Sequence, residues 1–94
     1  MKIVWSPRAI QHLVKLRKYI VRDSEQNATL VAQRIVAAVS LLRTQPEVGR
    51  PGRVLGTREL VIPHMTYVAP YRVRKERVEV IAIFHGHQIW PEKL

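Results

Sequence analysis

The 94-residue chain has no cysteine. Disulfides, thiolate catalysis and cysteine-ligated zinc are therefore excluded, and a cytoplasmic location fits that absence. No stretch approaches the ~18 consecutive apolar residues that a membrane-spanning helix needs. The first residues, M-K-I-V-W-S-P-R, lack the apolar core of a classical export signal. The expectation is a protein that is neither exported nor membrane-bound. Low-complexity tracts are absent too, and 47% of the residues are hydrophobic, which argues against disorder. Acidic residues are scarce. Seven Asp and Glu face 16 Lys and Arg, a formal net charge of +9. That excess suits an anionic partner such as nucleic acid or an acidic protein.

What is present reads as one domain spanning residues 1–94. Residues 2–5 predict a short strand. Ser6 followed by Pro7 is a helix start, because serine caps and proline tolerates the first helical position. Ala9, Leu13, Leu16 and Ile20 recur at helical spacing over residues 7–22, with basic side chains on the opposite face. Asn27 is placed to cap a second helix ending near Thr44. Its apolar stripe is wide (Ala28, Val31, Ile35, Val39 and Leu42, with Ala32, Val36, Ala38 and Leu41 beside it), which predicts burial on more than one side.

Residues 45–57 are rich in Gly and Pro and carry Arg50 and Arg53. This loop lacks the Gly-Lys-Ser/Thr ending of a nucleotide-binding loop, so a connector is the simpler reading. Strands are expected at residues 58–62, 67–74 and 78–84, with Lys75-Glu76 as a tight hairpin turn. Pro70 within the second of these implies a sheet edge or a bulge. The fold class is α+β, ordered β-α-α-β-β-β, with a helical hairpin on a small, mainly antiparallel sheet.

The words W-S-P-R-A at 5–9, L-x-x-x-P-E-x-G-R-P at 42–51, G-T-R-E-L at 56–60, P-Y-R-V at 70–73 and V-E-V-I-A-I-F-H-G-H-Q-I-W-P at 78–91 run in an order that resembles the RelE/ParE toxin superfamily, and its ParE-like branch in particular. The resemblance implies the toxin of a bacterial type II toxin–antitoxin system, of the kind linked to plasmid stabilisation and growth inhibition. ParE-like members poison DNA gyrase, whereas RelE-like members are ribosome-dependent mRNA endoribonucleases. Both are neutralised by an antitoxin, here expected to be acidic to complement the charge, and the toxin–antitoxin complex is a possible DNA binder. No cofactor is implied.

Two sets of site residues follow. A nuclease would use His87 as acid or base with Arg58 and Arg72 on phosphate. A docking toxin would contact its target or antitoxin through Arg58, Arg72, Arg74, His85, His87 and Trp90. Nuclease members carry an arginine three residues before the tyrosine of the third strand, and counting back from Tyr71 gives Val68. Gln88 follows His87, and Trp90, the last aromatic, has no hydroxyl to move a proton. Docking is thus the favoured reading, with catalysis by His87, Arg58 and Arg72 as the alternative. His85 and His87 share a strand face at i, i+2, but no third ligand is evident for a metal.

Overall fold

The fold is that of a computed structural model, described over residues 1–86, 90 and 91. Strand β1 (Lys2–Trp5) leads directly into helix α1 (Pro7–Val21). The Ser6 side chain accepts the Ala9 N–H at 3.0 Å and donates to the Ile81 carbonyl at 2.8 Å. One hydroxyl therefore both caps the helix and fastens its start to the far end of the chain.

Helix α2 (Glu25–Ser40) begins earlier than Asn27 suggests. Ser24 is the cap, and its hydroxyl accepts the Asn27 N–H at 3.1 Å. Asn27 thus donates to the cap from within the first turn and is not itself the cap. The helix ends at Ser40 and tightens into a 3-10 turn, Leu41–Arg43. Its buried stripe is Ala28, Ile35, Ala38 and Val39, continued by Leu42. The wider stripe does not hold, because Val36 is 42% and Leu41 55% exposed. One face of α2 is packed, and part of its apolar surface is left open.

Five further strands follow: β2 (Arg50–Pro51), β3 (Arg58–Val61), β4 (Tyr67–Arg74), β5 (Arg77–Val80) and β6 (Phe84–His85). They form a sheet in the order β1-β5-β4-β3-β2, with β6 also paired to β4. All pairings are antiparallel except β1 with β5, which is parallel from Lys2 opposite Arg77 to Trp5 opposite Val80. The expected segment 78–84 is thus two strands, separated at residues 81–83. The pairing with β4 slips by one residue across that gap, which marks a bulge. Pro70 lies opposite it and is buried in the middle of the sheet, not at an edge. Its carbonyl accepts the Ile81 N–H at 2.9 Å, and the bulge absorbs its missing donor.

The β4–β5 turn has positive φ at both Lys75 (53°) and Glu76 (60°), as a two-residue hairpin turn requires. The helices cover one sheet face. Ala9, Ile35, Ala38, Val39 and Leu42 pack against Leu60, Ala69, Tyr71, Val78 and Val80, and Ile3 and Trp5 lie against the same core. Side chains alternate across a strand, so the residues between these face the other way and form the open face of the sheet.

Candidate partner-docking face

The β4–β5 register decides where the arginines go. It places Arg72 opposite Glu79 and Arg74 opposite Arg77, all on the open face. Arg72 Nε donates to Glu79 at 2.8 Å, Arg74 Nη2 approaches the same carboxylate to 3.2 Å, and Arg77 Nη2 to 3.4 Å. The hydrogen bond from Arg72, with Arg74 beside it, holds the Glu79 carboxyl below its usual pKa against partial desolvation. Three cations around one anion leave a local excess of positive charge.

A second cluster stands two strands away. Glu59, paired with Arg50 across β2 and β3, is 3% exposed. Arg50 reaches one carboxylate oxygen through Nε and Nη2 at 3.1 and 2.9 Å. The Arg53 N–H donates to the other oxygen at 2.9 Å, and Arg53 Nε lies 3.3 Å from it. Burial alone would raise the Glu59 pKa; the Arg53 N–H and the Arg50 and Arg53 guanidiniums bring it below normal instead. The Arg53 guanidinium also stacks 3.6 Å above the Trp90 ring, and Trp90 packs on Phe84 with centroids 4.8 Å apart. Trp90 is therefore a half-buried support for the arginine loop as well as part of this surface.

Arg58 lies elsewhere. Its partner across β3–β4 is Tyr71, so it faces the helical side. Its Nη1 donates to the carbonyls of Glu47 at 3.1 Å and Gly49 at 2.9 Å. The Tyr71 hydroxyl holds the same loop, donating to the Pro46 carbonyl and accepting the Gly49 N–H. Arg58 is thus a loop clamp, separated by the thickness of the sheet from Arg72. Val68 is buried in β4 opposite Val61 and Phe84. His85 pairs with Thr66 through Nε2 at 2.9 Å and meets the Tyr67 ring edge-on. His87 and Gln88 lie outside the described residues.

Of the sequence-derived candidates, the sheet therefore brings together Arg72 and Arg74, sets Trp90 near the neighbouring arginine cluster, and sends Arg58 to the opposite face. Arg77, Glu79 and Glu59 were not anticipated. The first two are legible once the two-residue turn at Lys75-Glu76 is used to set the register. Glu59 had no such local signal, because its partners come from the two-residue strand β2 and the loop after it. Among the described residues no three His, Asp or Glu side chains gather closely enough to hold a metal ion. Among them also, no helix is long and apolar enough to cross a membrane.

Known proteins share this architecture. The chain is 41% identical over 93 residues to Y4kP, a candidate toxin of Sinorhizobium fredii, covering 99% of this chain and 96% of that one. It is 31% identical over 88 residues to the toxin RelE2 of Caulobacter vibrioides, covering 94% and 98%. A solved structure from the chromosomal ParDE toxin–antitoxin system of P. aeruginosa superposes with a TM-score of 0.82 at 27% identity, over 90% of this chain and 95% of that one. The family described as the ParE toxin of the type II toxin–antitoxin system, parDE, matches residues 3–90, and the chain belongs to that family.

Proposed function

We propose that this toxin acts by docking rather than by cleavage, that its target is DNA gyrase, and that a cognate acidic antitoxin silences it in the cytoplasm. The observation that carries the docking reading is the separation of Arg58 from Arg72. RNA cleavage through His87 needs cations converging on one phosphate. Here one arginine is bonded to loop carbonyls on the helical side and the other to Glu79 on the open side. The open face, with Arg50, Arg53, Arg72, Arg74 and Arg77, is instead a broad, half-exposed cationic platform suited to a protein surface.

The antitoxin reading rests on the family and on the ParDE origin of the P. aeruginosa neighbour. An apolar cleft of about 470 Å³ between α2 and the β3–β4 connection, bounded by Ala37, Leu41, Ile62 and Pro63, gives a helix or strand a place to lie. DNA contact belongs to the toxin–antitoxin complex in this reading.

Purified toxin is added to a gyrase supercoiling reaction and, separately, to translating ribosomes. Gyrase is expected to lose activity, and Arg72→Glu is expected to relieve that inhibition by at least about tenfold, the scale of a lost charge contact. Ribosome-dependent mRNA cleavage with gyrase untouched would sink the proposal.

A further inference from the structure

A cleft of about 610 Å³ lies between α1 and the β4–β6 pair. His12, Lys15 and Tyr19 wall it from the helix, and Tyr67, Ile83 and His85 from the sheet. Leu16 lies beside them, and His12, Lys15 and Tyr19 follow i, i+3, i+7 spacing, which puts them on one face. No carboxylate lines the cleft. Its size falls within the range of small-molecule sites.

His12, Lys15 and the two tyrosine hydroxyls can each donate into the cleft. His12 Nδ1 accepts the Ile83 N–H at 3.1 Å, so the proton of the neutral ring must sit on Nε2. Desolvation, with Arg8 and Lys15 nearby, lowers the His12 pKa and keeps that neutral form at physiological pH. Any polar atom this ring offers the cleft is therefore an N–H. Lys15 adds an ammonium on an exposed stem. Tyr19 and Tyr67 add hydroxyls. Burial and the neighbouring Tyr19 raise the Tyr67 pKa, so it stays protonated.

Beside this donor set stands an aromatic surface. Tyr19 is 69% exposed, and Tyr67 is half-buried against His85 with ring centroids 5.5 Å apart. An exposed tyrosine next to a lysine is a stacking platform with a counter-charge for an anion. A carboxylate-free cleft with an ammonium, an imidazole N–H and one open ring fits a planar ring that carries a phosphate.

We propose that this cleft binds a nucleoside monophosphate unit, its phosphate on Lys15 and His12 Nε2 and its base on Tyr19. The unit is either a free nucleotide or the phosphorylated end of a strand. The site shares no residue with the open sheet face, so it stands or falls independently of the gyrase reading.

The full-length toxin is titrated with AMP, adenosine, inorganic phosphate and a short single strand with or without a 5′-phosphate, followed by calorimetry and amide shifts. AMP is expected to bind below about 1 mM, with adenosine and phosphate at least about tenfold weaker. Both Lys15→Gln and Tyr19→Ala change exposed positions, and each is expected to weaken AMP about tenfold. Tighter binding of the phosphorylated strand than of AMP identifies a strand end as the source, and equal or weaker binding identifies the free nucleotide. Absence of AMP binding, or affinity that survives both substitutions, overturns the proposal. Affinity lost in Arg72→Gln but kept in Lys15→Gln overturns it too, by moving the site to the sheet face.

Discussion

The Tyr71 hydroxyl accepts the Gly49 N–H at 2.9 Å, 22 residues away in the chain and in the buried interior. The same oxygen donates to the Pro46 carbonyl at 2.8 Å, so a fully buried ring on β4 holds the loop that precedes the arginine-bearing strand β2. Replacing Tyr71 by Phe keeps the ring and removes both bonds. A buried N–H and a carbonyl are left without that partner, which costs about 1–3 kcal/mol. Urea unfolding is expected to show a lower midpoint with an unchanged slope. A midpoint equal to that of the parent protein would contradict this role.

Gly49 is required for a steric reason at the same contact. A Cβ built there falls 2.6 Å from both Cε1 and the hydroxyl oxygen of Tyr71. Gly49→Ala must therefore displace the loop or the ring, at about 1–3 kcal/mol. Because the clash is partly with the hydroxyl, Tyr71→Phe relieves some of it. The double variant is expected to lose less stability than the two single losses added together. Simple additivity would show that the two positions do not share one contact.

Glu59 is the anchor of the arginine loop on the other face. Its side chain is 4% exposed, while those of Arg50 and Arg53 are about half exposed at 54% and 49%. Glu59→Gln keeps the shape but removes the charge, weakening charge-assisted bonds by about 1–2 kcal/mol. The sign with pH follows from the lowered pKa. The stabilisation is fully present above the unfolded value of 4.5 and is lost as pH falls through the lower folded value. The gap between parent and variant in chemical unfolding should be full near neutrality and close in acid.

Glu79 tempers the open face. Glu79→Gln frees Arg72, Arg74 and Arg77 from their shared anion and adds one unit of positive charge. Association with an acidic antitoxin is expected to accelerate about twofold to fivefold at low salt, and the gain should vanish at high ionic strength. Stopped-flow mixing at two salt concentrations reads both. An unchanged or slower association rate at low salt would place the antitoxin's acidic surface elsewhere.

Residues with local signals were legible in the sequence, and residues whose partners are distant were not. Ser6-Pro7 announced α1, and Lys75-Glu76 announced the β4–β5 turn, because caps and two-residue turns are written in neighbouring side chains. Strand β4 was readable to its ends. Segment 78–84 looked continuous because its composition is β-prone throughout. The break at 81–83 is imposed by Pro70 on another strand and by Ser6 and His12, which bond to Ile81 and Ile83 from α1 and its cap. Arg58 looked like a phosphate ligand because its bonds to the carbonyls of Glu47 and Gly49 arise only when loop and sheet meet. Glu59 and His12 were passed over for the same reason. The open arginine face was partly visible through Arg72 and Arg74, and the cleft beside α1 was not.

His12 makes the last of these long-range bonds into a measurable pH dependence. Its Nδ1 accepts the Ile83 N–H at 3.1 Å across 71 residues, and its ring lies 5.3 Å from that of Phe84. Protonation would replace the acceptor with a donor and add a cation beside Arg8 and Lys15. Desolvation, then those two charges, lowers the folded pKa below 6.5, while the unfolded histidine titrates near 6.5. As pH falls, the unfolded chain therefore takes up its proton first. The contribution of His12 to stability is whole above 6.5, declines from there to the folded pKa, and is level below it. Each unit of difference is worth about 1.4 kcal/mol. The Glu59 and Glu79 pKa values are lowered from 4.5, so these groups stay ionised above pH 5.5. Urea midpoints measured between about pH 7.5 and pH 5.5 should fall for the parent protein. His12→Asn retains an acceptor oxygen without the titration, and its midpoint should fall less across the same range. Parallel slopes in the two proteins would remove His12 as the source.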